Sequence, residues 1–187
     1  MTKIAVVYHS GYGHTKAQAE AVARGAQKVT GAVVNLITAE EALNLELLAD
    51  ADAIIFGSPT YMGSASAQFK AFMDASSKAW YTRDWQDKVA AGFTTSASQS
   101  GDKLNTLIQL AVFAAQHGMI WVGQDLMPGN NSSTGSVNDL NRLGGFLGAM
   151  AQANSDQGAD VAPISSDLLT AEHLGERVAK IAKRLRG

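Results

Sequence analysis

Five short apolar runs constrain the fold more than any other feature of this chain: Ile4 to Tyr8, Ala32 to Ile37, Ala53 to Phe56, Val89 to Phe93 and Met119 to Val122. Each is too short for a helix and most lack the alternation of a strand with one face in water. They read as parallel strands buried on both faces. Helical patterns lie between them. Ala19, Val22, Ala23 and Ala26 recur at helical spacing with Gly31 beyond; Leu104, Leu107, Ile108, Ala111, Val112 and Ala115 form a stripe closed by Gly118. Phe69, Phe72 and Met73 mark a third helix, Leu174, Val178, Ile181 and Leu185 the last, and Glu40 to Ala49 a weaker one. Alternating strands and helices predict one α/β domain over residues 1–187. Its core is a doubly wound five-stranded parallel sheet, order 2-1-3-4-5, with helices on both faces.

One segment breaks the regularity. Gly123 to Pro163 is rich in Gly, Asn and Ser, and a structureless loop of about forty residues is uncommon in a compact domain, so it is expected to be functional or an interface. Within it, Leu143 to Gln152 reads as a short helix with Phe146, Leu147 and Met150 inward.

The ends of strands one, three and four share a character. The first runs into Ser10-Gly11-Tyr12-Gly13-His14-Thr15, the third into Ser58-Pro59-Thr60-Tyr61-Met62-Gly63, the fourth into Thr95-Ser96-Ala97-Ser98-Gln99-Ser100-Gly101. Strand two ends instead in Thr38-Ala39-Glu40, an ordinary helix cap. In a doubly wound sheet ligands bind beyond the strands' carboxyl ends at the topological switch point, where these three polar loops converge. The first puts Ser10 and Thr15 hydroxyls, backbone N–H groups and a helix N-terminus around one point, a place for a phosphate. It carries no G-x-x-x-x-G-K-[ST] and lacks the third glycine of a dinucleotide fingerprint. A hydroxyl-rich, weakly charged cradle of this kind suits a flavin mononucleotide.

Composition removes other classes. Fifteen basic and seventeen acidic side chains leave a net charge of −2, with no basic field for nucleic acid. No apolar run approaches a membrane span and no signal segment precedes the first strand, so the expected location is cytoplasmic. With no cysteine, thiol redox chemistry is excluded, and a redox protein of this kind needs a cofactor to carry electrons. His9 and His14 lack carboxylates at metal-binding spacing, so no metal is expected. No G-x-S-x-G elbow surrounds the serines, which argues against a hydrolase. Trp80, Tyr81 and Trp85 read either as a packing knot or as an interface or active-site roof. His117, ending an apolar helix, reads either as a cap or as a functional group.

Three motifs, S-G-Y-G-H-T, G-S-P-T-Y-M-G and A-A-Q-H-G-M, resemble the flavodoxin-like, tetrameric NAD(P)H:quinone oxidoreductases of the tryptophan-repressor-binding-protein type. The resemblance is clear from Met1 to about Val122 and returns around Leu143 to Phe146 and in the C-terminal helix. It implies a flavodoxin-like fold, bound FMN, NADH or NADPH as donor, a quinone acceptor and a homo-oligomer, dimer or tetramer. By position, Ser10 through Thr15 would hold the phosphate; Pro59, Thr60, Tyr61, Met62 and Gly63 would lie along the isoalloxazine. Thr95, Ser96, Ala97, Ser98, Gln99, Ser100 and Gly101 would line its other side. His117 matches a histidine near the flavin, Tyr12 a position near the nicotinamide and Trp80 an aromatic wall over the substrate. The third loop departs from the family pattern, with Ala97, Gln99 and Ser100 where glycines are usual and a length one residue greater. The alternatives are a flavodoxin-type single-electron carrier, an NAD(P)H-dependent FMN reductase that releases its flavin, and a flavin-binding module without turnover.

Overall fold

The computed structural model describes residues 1–186. Strands β1 (Thr2–Tyr8), β2 (Ala32–Thr38), β3 (Ala53–Tyr61) and β5 (Val89–Ser96) are joined by helices α1 (His14–Gln27), α2 (Ala67–Ala75) and α3 (Ser77–Thr82). A two-residue strand β4 (Ser64–Ala65) folds back antiparallel on the end of β3. Helix α4 (Lys103–Gln116) leads to β6 (Ile120–Trp121); β7 (Ala149–Gln152) and α5 (Ser165–Arg186) complete the chain. The sheet order is β2-β1-β3-β5-β6, with β7 also paired to β5.

The expected five segments lie side by side in the expected order, but the count of strands is corrected to seven. The fifth position is split. β6 pairs parallel with Val89 and Ala90 at the start of β5, whereas β7 pairs with Phe93 to Ser96 at its end. Residues 123–148 loop out between the two halves. The helix expected over Leu143 to Gln152 is not formed: residues 143–148 are turn, bend and irregular backbone, Ala149–Gln152 is strand, and Phe146, expected inward, is exposed. Four residues of Ala-Met-Ala-Gln are too short to display a period, and the open ladder of β5 decides the conformation. The weak helix over Glu40 to Ala49 is two turns of 3₁₀ helix, Glu41–Leu43 and Leu45–Leu48.

The core follows from the period of two along each strand. Ile4, Val6, Ile55, Ala91 and Phe93 face α1 and α5 on one side. Ala5, Val7, Ile54, Phe56 and Ala90 face Phe69, Phe72, Trp85, Leu110 and Phe113 on the other. Helices α1 and α5 cross at backbone contact: a Cβ on Gly25 would overlap the Glu172 carbonyl, and one on Gly175 the Val22 carbonyl. The stripe read on α4 mixes two faces. Leu107 is buried, but Leu104, Ile108 and Val112 are about half exposed, while Leu110, Phe113 and Ala114 complete the inner face.

The looped-out segment is anchored rather than loose. Arg142 forks onto Asp167 at the start of α5, two bonds of 2.8 Å, with both side chains buried. Asp167 also accepts the Gln152 N–H at 2.9 Å, which ties segment, strand β7 and helix α5 together.

Candidate cofactor site

A cavity of about 560 Å³ opens at the carboxyl ends of β1, β3, β5 and β7, within the size range of cofactor sites. Its first wall is the turn from β1 into α1. Gly13 caps the helix with φ +89°, a left-handed conformation that suits glycine. Ser10 Oγ accepts from the N–H groups of Gly13 and Lys16, both at 3.1 Å, and so fixes the turn. The N–H groups of Tyr12, His14 and Thr15 have no partner among the described residues. The Thr15 hydroxyl, also unpartnered there, borders the cavity from a side chain that is 2% exposed. Free N–H donors, a hydroxyl and a helix N-terminus around one point form a cradle for a phosphate.

The second wall is Pro59, Thr60 and Tyr61 at the end of β3. Thr60 Oγ1 lies 2.8 Å from both Thr94 Oγ1 and Thr106 Oγ1, a buried hydroxyl cluster that holds β3, β5 and α4 in register. Tyr61 meets Tyr12 edge to face at 6.4 Å between ring centres, and the pair flanks the mouth. Burial raises the Tyr61 hydroxyl above its ordinary pKa, so it stays protonated at neutral pH. The third wall is Thr95, Ser96 and Ala97. Thr95 donates to Gln18 Oε1 at 2.6 Å, and Gln18 Nε2 donates to the Ala149 carbonyl at 3.3 Å. This buried amide joins α1, β5 and β7 beneath the floor.

A fourth wall, Ala153, Ser155, Gln157 and Gly158, follows β7 and is absent from the expected set. The His14 ring Nε2–H donates to the Gln157 carbonyl at 2.8 Å and clasps this wall to the first. Its signal in the sequence is Asn154-Ser155-Asp156-Gln157-Gly158, a polar, glycine-bearing stretch like the other three. It becomes readable only once Ala149–Gln152 is recognised as a strand.

The expected residues divide clearly. Ser10, Tyr12, His14, Thr15, Pro59, Thr60, Tyr61, Thr95, Ser96 and Ala97 line the cavity, with Gly11 and Gly13 in the backbone of the first wall. Met62 and Gly63 form the tip of the β3–β4 hairpin, both with positive φ, and the Met62 side chain is fully exposed. Ser98, Gln99, Ser100 and Gly101 continue the third loop outside the lining.

Two expected catalytic residues are not brought to the cavity. His117 ends α4, at the amino-terminal end of the strands and thus the opposite pole of the sheet. It is 3% exposed, stacks 4.3 Å from Trp85 and bonds Ser76 Oγ at 2.9 Å. Burial, with the Arg83 charge adding to it, pushes its pKa down to about 4. Trp80 sits on α3 at the same pole, half exposed. A helix of fourteen residues carries the chain about 21 Å along the sheet, which places whatever ends α4 far from what begins it.

No carboxylate or lysine of the described residues borders the cavity, whose titratable lining is His14 and the two tyrosines. Among the described residues no cluster of three His, Cys, Asp or Glu is arranged to hold a metal. The walls supply hydroxyls, backbone donors and aromatic faces, which bind and orient a group that brings its own chemistry. A doubly wound sheet with a phosphate cradle at its switch point and a cavity of this size defines a mononucleotide-binding protein of flavodoxin type.

Comparison with known proteins narrows the class. The family described as NADPH-dependent FMN reductase matches residues 26–132. The chain is 46% identical to a protein named Flavodoxin FldP from Pseudomonas aeruginosa (strain UCBPP-PA14), covering 99% of both. It is 32% identical to an NAD(P)H dehydrogenase (quinone) from Geotalea uraniireducens (strain Rf4), covering 98% of both. A crystal structure of the flavodoxin, WrbA-like protein from Agrobacterium tumefaciens superposes with a TM-score of 0.75 at 44% identity, over 98% of this chain and 99% of that one. The chain belongs to the WrbA-like family of flavodoxin-fold NAD(P)H:quinone oxidoreductases.

Proposed function

We propose that the cavity holds FMN and that the protein is an NAD(P)H:quinone oxidoreductase. The observation that carries this reading is the cradle between Ser10 and Thr15, where the N–H groups of Tyr12, His14 and Thr15 and the Thr15 hydroxyl have no partner among the described residues, opening on a cavity lined by no described carboxylate or lysine. The donor set fits a phosphate monoester held by dipoles rather than by a lysine. Gly11 and Gly13 keep the cradle open, since a Cβ at either would crowd Tyr61 or Ala159.

When bound, FMN supplies the hydride-accepting and hydride-donating chemistry. The chain's residues do the positioning. Ser10 to Thr15 hold the phosphate end; Pro59, Thr60 and Tyr61 support one side of the ring system and Thr95 to Ala97 the other. Tyr12 and Tyr61 offer flat surfaces to a planar nicotinamide or quinone at the mouth. The wall from Ala153 to Gly158, pinned by His14, screens the inner end from water.

The donor and acceptor classes are those in the relatives' names, and the location that fits a nicotinamide-dependent enzyme is the cytoplasm. No described helix is long and apolar enough to cross a membrane. Leu104, Ile108 and Val112 form an exposed apolar row on α4, and copies of the chain meet there in a homo-oligomer, dimer or tetramer. The amide of Asn105 ties the hairpin tip carrying Met62 to the same helix, at 2.6 Å from the Gly63 carbonyl.

The test is an anaerobic absorbance titration of FMN-loaded protein with NADH, then NADPH, then benzoquinone. Bleaching by a nicotinamide and recovery with quinone is the expected result. A flavin that stays oxidised with both donors overturns the oxidoreductase reading. It would favour the second one, a single-electron carrier, to which the 46% identity with a protein named a flavodoxin lends weight. Flavin that passes a gel-filtration column separately from protein after reduction would make it a reductase of free FMN.

A further inference from the structure

Lys103 is, among the described residues, the one lysine packed against the cavity's wall from behind. It opens α4, is 1% exposed, and donates from Nζ to Ser96 Oγ at 2.7 Å, the Ser98 carbonyl at 2.8 Å and the Gln99 carbonyl at 2.7 Å. Among the described residues no carboxylate touches its ammonium. The charged groups facing it are Asp167 from α5 and Arg142 from the segment between β6 and β7, which pair with each other and act on the lysine in opposite directions.

Those bonds orient the loop. In a trans peptide the C=O and N–H point in opposite directions. Drawing the Ser98 and Gln99 carbonyls toward Lys103 turns the Gln99 and Ser100 N–H groups away from it. Neither N–H donates to any described residue. Ser96 and Ala97 of the same loop line the cavity. Gln99 and Ser100 are exposed and lie outside the lining, but Ser96, whose hydroxyl Lys103 holds at 2.7 Å, borders the cavity, so a buried positive charge stands one side chain behind the cavity wall, an arrangement for stabilising an anion.

We propose that Lys103 is a positioning residue that makes the loop from Ser96 to Ser100 an electropositive backing for the reduced flavin. This rests on the FMN reading above. Hydride transfer oxidises the nicotinamide to its cation and gives the neutral flavin one proton and two electrons, so the ring gains one negative charge. A lysine that favours the charged product over the neutral reactant makes the flavin a better two-electron acceptor without touching either substrate.

The experiment is a spectroelectrochemical titration of FMN-loaded wild type and Lys103→Met across pH. The variant is expected to retain FMN but to prefer reduced over oxidised flavin about tenfold less, a fall of about 30 mV for a two-electron couple. Burial lowers Lys103 to a pKa of about 8. Above that pH the oxidised wild type carries a neutral lysine that regains its proton on reduction, so its potential falls more steeply there, and the variant's does not. Equal potentials in the two proteins overturn the proposal. If Lys103→Met does not fold, the wild-type profile decides: a bend near pH 8 supports the proposal and a profile without one overturns it. Failure of the wild type to bind FMN overturns the cofactor reading itself, a separate result.

Discussion

Single side chains carry the sharpest consequences. Thr15 is buried, borders the cavity and has no described partner for its hydroxyl. Thr15→Val is therefore expected to leave the fold intact and weaken FMN binding by about 1.5–3 kcal/mol, the scale of a hydrogen bond to a charged group. Calorimetric titration would show this as a rise of about ten- to 150-fold in Kd. His117 makes a different prediction. Its pKa is about 4 in the folded chain against an ordinary 6.5, so between those values the unfolded chain binds a proton that the folded one does not. Stability is then unaffected by this group above pH 6.5 and falls as pH drops toward 4, by up to about 1.4 kcal/mol per pH unit. Urea unfolding from pH 7 to pH 4 should show the fall in wild type and a shallower one in His117→Gln. Equal slopes would place the titrating group elsewhere. The two residues also mark what a sequence makes legible. Thr15 was readable because it lies in the same strand-to-helix turn as Ser10. His117 was not, because only the full length of α4 reveals which pole of the sheet it reaches.

Elements set the precision of the site. The cradle sits on α1, and α1 is held by α5 through the backbone contact at Gly25 and Gly175. A methyl at Gly175 would overlap the Val22 carbonyl and press on the Ala26 backbone nitrogen. Gly175→Ala should destabilise by about 1–3 kcal/mol, as overpacking does, and lower Tm by roughly 2–4 °C for each kcal/mol in a chain of this size. An unchanged melting curve would mean that the helices slide apart freely. The sequence exposed the stripe of α1 but not this contact, since a glycine inside a helix reads only as a weak point. The fourth wall was hidden for a related reason. Ala149–Gln152 takes its conformation from β5, a partner more than fifty residues away, and the loop from Ala153 to Gly158 inherits its place from that pairing.

At the scale of the molecule, the inner and outer faces of α4 were indistinguishable in the sequence because both are apolar. The fold separates them, turning Leu107 and Leu110 inward and leaving Leu104, Ile108 and Val112 outside. If copies associate there, Ile108→Lys should reduce the sedimentation coefficient to that of a smaller species while FMN content is unchanged, since the row lies outside the cavity lining. An unaltered coefficient would move the interface to another face. The divided fifth position has a consequence of its own. An exposed sheet edge can template another chain in proportion to its uninterrupted length. On the β6–β7 side that length is two residues and then four, in pieces separated by a loop. On the other side β2 offers seven in one run, with Val33 and Leu36 partly in solvent. The two margins of this sheet are therefore unequal hazards: misassembly of a partly unfolded chain has one flank to start from, and the interruption that shapes the cavity also protects the other.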